Sequence, residues 1–107
     1  MPERYYVVLL RNGIEAHVFF ETNQGILLRY VVKLIMKQDD GCHEVIRFDS
    51  AHACPHKDIL GTNGKVKRKV WYELLDNKQG LDLAIKDLKD NYELYIERYL
   101  QWQKKSG

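Results

Sequence analysis

Cysteine, proline, long apolar runs and net charge are all scarce in this 107-residue chain, and each scarcity excludes something. The two cysteines, Cys42 and Cys54, are spaced like neither a zinc finger nor a disulfide framework, which points to a reduced, cytoplasmic protein. No apolar run approaches the roughly 18–20 residues that span a membrane, and the opening Met-Pro-Glu-Arg has no apolar signal core. A net charge of +2 permits a nucleic-acid partner without demanding one, because the distribution of charge matters more than its total. Repeats, low-complexity stretches and linkers are also lacking. What is there, 45% hydrophobic and 30% charged residues, is the composition of a globular chain long enough for one core and too short for two.

Extended runs alternate with turn signals through the first half. Arg4–Arg11 and Ile14–Thr22 flank Asn12-Gly13, a strong hairpin signal. Asn23-Gln24-Gly25 leads into a run over 26–38, and Asp39-Asp40-Gly41 into a run over 42–49, each readable as a three-residue loop whose glycine takes the left-handed position. These loop lengths predict a register with Val7 opposite Val18, Val18 opposite Tyr30 and Val32 opposite Phe48. One sheet face then holds Tyr5, Val7, Leu9, Ala16, Val18, Phe20, Leu28, Tyr30, Val32, Leu34, Met36, Ile46 and Phe48, with Glu44 near its edge. The other face is mixed. It aligns Val8, His17, Val31 and Asp49 in one row and Leu10, Glu15, Lys33 and Arg47 in the next, with Arg29 beside Phe19. That places His17 about 10 Å from Asp49, across one intervening strand. Apolar residues left on this face (Val8, Leu10, Phe19, Leu27, Ile35) could support a homodimer.

Two further strands, over 57–60 and 65–72, flank Gly61-Thr62-Asn63-Gly64. The second is strongly basic: Lys65, Lys67 and Lys69 fall on one strand side, which reads either as a lysine-protected edge or as a contact for nucleic-acid phosphates. From about residue 77 to 104 the period turns helical. Leu81, Ala84, Ile85, Leu88, Tyr92, Tyr95, Ile96, Tyr99 and Trp102 make one stripe, Asp76 or Asn77 could cap the start, Gly80 could mark a later one, and Lys104 and Lys105 suit the terminal dipole. The expected fold is one α+β domain over 1–107, an antiparallel meander sheet of about five to six strands with one long C-terminal helix packed on one face.

The densest chemistry lies in Arg47 to Asp58, Arg-Phe-Asp-Ser-Ala-His-Ala-Cys-Pro-His-Lys-Asp, which Pro55 keeps from being a regular helix or central strand; it reads as an ordered loop. Histidines titrate near neutrality, so His17, His52 and His56 are candidates for the two proton transfers of RNA cleavage through a 2′-hydroxyl. Arg47, Lys33 or Arg29 would stabilise the phosphate, and Asp49 or Asp58 would orient an imidazole. That chemistry needs no metal or cofactor. A zinc set of His52, Cys54, His56 and Asp58 is chemically acceptable, but an extended chain spreads those ligands over roughly 20 Å. The competing reading is structural: the histidines pin the loop, Asp49 caps a turn, Cys54 fills space, and His43 is an exposed bystander at a hairpin end.

The block from Val45 to Asp58, set between a strand hairpin and a basic strand followed by a long helix, resembles that of small uncharacterised prokaryotic proteins. These in turn are distantly similar to the TumE-like toxins of toxin–antitoxin systems. The resemblance implies an RNA-directed toxin with Arg47, Asp49, His52 and His56 as its catalytic set and a cognate antitoxin protein as partner. The substrate-binding residues expected beside it are His17, Arg29, Lys33, Lys65, Lys67 and Lys69. Ala53 stands where the pattern suggests glycine, and Lys57 follows His56 where the toxins have a denser basic and histidine cluster. The alternative is a non-catalytic module that binds nucleic acid or protein through the basic sheet face.

Overall fold

The computed structural model describes residues 2–51 and 54–106. Six strands follow one another along the chain and across the sheet: β1 (Glu3–Arg11), β2 (Ile14–Asn23), β3 (Ile26–Gln38), β4 (Gly41–Asp49), β5 (His56–Leu60) and β6 (Val66–Trp71), all antiparallel neighbours. The helix α1 (Asn77–Ser106) packs across one face, chiefly on β3 and β4. Leu81, Ala84, Leu88, Tyr95 and Tyr99 of its stripe are buried against Val18, Tyr30, Val32, Leu34, Ile46 and Phe48 of the sheet. No helix of the described residues is long and apolar enough to cross a membrane.

The α1 start is capped reciprocally: the Gln79 amide donates to Asp76 Oδ1 at 2.8 Å, and the Asp76 amide donates to Gln79 Oε1 at 3.0 Å. Gly80 lies inside the helix rather than marking a later start. A Cβ there would overlap the Tyr30 hydroxyl and come within 2.8 Å of Pro55 Cβ, so glycine is what lets the helix close on the sheet.

Bulges alter the register that loop lengths predict. Leu10 is an extra residue between the Leu9–Glu15 and Arg11–Ile14 pairs, so Val7 faces His17 instead of Val18. The face of β1 is thereby reversed: Tyr5, Val7 and Leu9 are exposed on the face away from the helix, while Val8 and Leu10 pack against the core. The turn after β2 has two residues, Gln24-Gly25, both at positive φ, and Leu28 bulges; Val18 therefore pairs with Val32, not Tyr30, and Leu28 is exposed. Val32 does pair with Phe48, as expected, but Val45 bulges beyond it and turns Glu44 onto the open face. The apolar patch expected of Val8, Leu10, Phe19, Leu27 and Ile35 is thus dispersed, since Val8, Leu10 and Leu27 join the core margin.

Candidate functional site

On the sheet face that the helix leaves open, the corrected register produces two rows. One reads Tyr5, Phe19, Val31, Asp49, His56, Trp71 from β1 to β6, and the next reads Val7, His17, Lys33, Arg47, Asp58, Lys69. His17 therefore faces Lys33, and Asp49 faces Val31; the row joining His17 to Asp49 does not form.

The block Arg47 to Asp58 is not one loop, because both of its ends are strand. Arg47 and Asp49 end β4, His56 and Asp58 begin β5, and the connection is confined to 50–55. His52 lies outside the described residues. His56 is only 2% exposed. Its Nδ1 donates to the Cys54 carbonyl at 3.0 Å, its Nε2 lies 3.0 Å from Asp49 Oδ1, and its ring tilts against Trp71 with centroids 4.9 Å apart. The Nδ1–H bond to the carbonyl fixes the ring with Nε2 toward the carboxylate. Asp49 Oδ1 also accepts the Ala51 amide at 2.9 Å, closing the turn out of β4. This geometry holds the connection in place, and buries His56 where a substrate would not reach it.

Asp49, His56 and Asp58 offer ligand atoms all within 4.8 Å of one another, and among the described residues they are the set that could hold a cation. Lys69 Nζ, 2.9 Å from Asp58 Oδ1, already supplies positive charge there. Cys54 takes no part; its Sγ lies against the Pro55 carbonyl.

The open face is not a basic face. Arg29 pairs with Glu21 at 2.6 Å, Lys33 with Glu44 at 3.4 Å, Lys37 with Glu15 at 3.1 Å, and Arg47 with Glu44 at 2.8 Å. On β1 and β2 a chain of contacts, exposed at its Tyr5 end and half-buried beyond it, runs from the Tyr5 hydroxyl to His17 Nδ1 (2.5 Å) and from His17 Nε2 to Glu15 Oε1 (2.9 Å). Hydrogen bonds from His17 and then Lys37 hold Glu15 below the usual carboxylate range. Beside this chain Tyr5, His17, Phe19, Val31 and Lys33 line a cleft of about 320 Å³.

Unpaired cations gather elsewhere. Lys67 is the bulged residue of β6, so Lys65, Lys67 and Lys69 do not share one strand side. Lys67 turns to the helix and sits 4.2 Å from the Trp102 ring centroid, while Lys69 turns to Asp58. Arg98 stacks over the same Trp102 at 5.2 Å, and its buried Nε and Nη2 have no hydrogen-bond partner among the described residues. Thr62, Asn63, Lys67, Trp102 and Lys105 line a cleft of about 410 Å³. Among the described residues, none of Lys65, Lys67, Arg68, Arg98, Lys104 and Lys105 has an ion-pair partner. The sequence singles out Lys65 and Lys67 and places Trp102 in the core stripe, whose margin it does join, while Arg98 is not singled out there. His43 is half-buried rather than exposed, bonded to Asp40 at 2.8 Å and set against the Tyr99 ring.

A family model, domain of unknown function (DUF7718), matches residues 1–105, and the chain belongs to that family. No curated protein and no solved structure matches the chain.

Proposed function

We propose that this DUF7718 member binds single-stranded RNA in the cleft between β6 and the end of α1. The observation that carries the reading is the division of charge: cations on the open sheet face each meet a carboxylate, whereas those around Trp102 do not. Cations without partners are the ones free to neutralise phosphates and so release the counterions condensed on the nucleic acid. Trp102 lines the cleft within cation–π distance of Lys67 and Arg98, and its indole offers a base a stacking partner in place of the Lys67 ammonium, a contact that tolerates any sequence and requires an unpaired strand. The TumE resemblance makes RNA the expected ligand, and the toxin-like role is part of the same proposal.

Fluorescence anisotropy of a labelled mixed-sequence RNA strand over a salt series tests it. Wild type should bind with an affinity that falls steeply with salt. Lys67→Ala should flatten the slope by about 0.7, the share of one phosphate contact on a single strand. Trp102→Ala should weaken binding by about 1–3 kcal/mol, the worth of one stacked base. Equal binding of polyglutamate would indicate an acidic protein partner instead, and binding indifferent to both substitutions would overturn the reading.

A further inference from the structure

The two edges of the sheet are finished differently. β6 is six residues long, bulges at Lys67 and carries Lys67, Arg68 and Lys69 in its middle, all devices that keep an edge from pairing further. β1 runs nine residues, pairs regularly with β2 from Glu3 to Leu9 and carries no charge over residues 5–10. Its other side meets no strand among the described residues. The helix packs chiefly on β3 and β4 and leaves most of β1 uncovered. Tyr5, Val7 and Leu9 on one face and Tyr6 on the other are accordingly 42% to 68% exposed. The Thr22 amide donates to the Pro2 carbonyl at 3.0 Å, which sets the even-numbered residues of β1 bonding toward β2. The main-chain N–H and C=O groups of Tyr5, Val7 and Leu9 therefore point outward, where a further strand would lie.

We infer that β1 is a dimer edge, pairing antiparallel with β1 of a second copy of this chain about a two-fold axis at Val7. Outward main-chain groups call for a strand, and the residues of β1 suit that strand to its own copy. In this register Val7 and the partner's Val7 exchange both main-chain hydrogen bonds, and Tyr5 does the same with the partner's Leu9. Side chains match as well. Tyr5 faces the partner's Leu9 and Val7 faces its own copy on the open face, while Tyr6 faces the partner's Val8 on the helix side; aromatic and aliphatic groups so opposed stabilise a sheet. Arg4 falls opposite the partner's Leu10, and the end of β1 that carries Glu3 lies beside the end that carries Arg11, so like charges are not opposed. Because β6 is protected against pairing, assembly stops at two copies. The two sheets then run on as one with both helices on the same side, and the Trp102 clefts lie toward its far edges, away from the joint.

Sedimentation of the full chain over a concentration series, with amide hydrogen exchange read on the same samples, tests the inference. Wild type should become dimeric as concentration rises, and the Tyr5, Val7 and Leu9 amides should gain protection in step. Val7→Lys and Val7→Glu each set like charges face to face across the axis, so either variant alone should stay monomeric. Mixing the two should restore a dimer, because residue 7 then meets its opposite charge. Val7→Pro removes an outward N–H that no strand of its own chain uses, a change edge strands accept, and should also abolish the dimer. Val7 is exposed, and an unchanged urea midpoint for each variant confirms that the monomer still folds. A wild type that stays monomeric, with the three amides exchanging freely at every concentration, overturns the inference. So does a dimer that survives all three substitutions, and a mixture of the two charged variants that stays monomeric overturns the pairing of Val7 with itself.

Discussion

His56 shows how a residue type that suggests catalysis can be spent on structure. Its imidazole is buried between Asp49 and the Cys54 carbonyl and covered by Trp71, with Asp58 Oδ2 3.9 Å from Nε2. Removing it leaves Asp49 with the Ala51 amide and Asp58 with Lys69 but empties the buried space between them, and breaking a buried pair costs about 3–5 kcal/mol. His56→Ala should therefore lose most of its stability in urea unfolding, while the fraction that folds still binds RNA. Wild-type stability with binding abolished would return His56 to the functional site. Gly80 makes the opposite point. Alanine normally gains about 1 kcal/mol over glycine inside a helix, but here the added Cβ meets Tyr30 and Pro55. Gly80→Ala should lower stability by about 1–3 kcal/mol, the cost of overpacking, and a higher urea midpoint would contradict the close approach.

At the scale of elements, strands, turns and the helix could be read from the chain because each has a local cause. Asn12-Gly13 and the glycine of Asn23-Gln24-Gly25 mark turns, with Gly13 and Gly25 at positive φ, alternation marks the strands, and Asp76 marks the helix start, where Gln79 completes the cap. Asp76→Ala should cost about 1 kcal/mol and fray the first turn, visible as faster amide exchange at Lys78 and Gln79. Register was a different matter. Leu10, Leu28, Val45 and Lys67 are ordinary strand residues, and nothing in their type announces a bulge. Yet the Leu10 bulge puts Tyr5 beside His17, and the Lys67 bulge puts a lysine on Trp102 instead of beside Lys65 and Lys69. Lys65, Lys67 and His17 were therefore legible as candidates, while Arg98 and the way these residues group were not. Bulges follow from how the whole sheet twists against its helix, which is a tertiary balance.

Across the whole molecule, the helix seals one sheet face with phenols as well as aliphatic side chains. Burial raises the tyrosine pKa of Tyr30, Tyr72, Tyr95 and Tyr99, with Asp49 adding to the effect at Tyr30 and Asp87 at Tyr95 and Tyr72. A folded value above the unfolded one means that the neutral phenols stabilise the fold fully below about pH 10, and that this share is lost as pH rises beyond it. The urea midpoint should thus fall on going from about pH 9 to pH 11, and a flat midpoint would show that these hydroxyls reach solvent. Charge is likewise arranged over the whole surface: neutralised on the open face, unneutralised around Trp102. The central claim is that this second region holds RNA. Titrating isotope-labelled protein with single-stranded RNA and following amide and indole resonances tests it most directly. The account predicts early, salt-sensitive shifts at Lys65 to Arg68, Arg98 and Lys105 and at the Trp102 indole. Shifts confined to the open sheet face, or none at RNA concentrations where anisotropy reports binding, would contradict it.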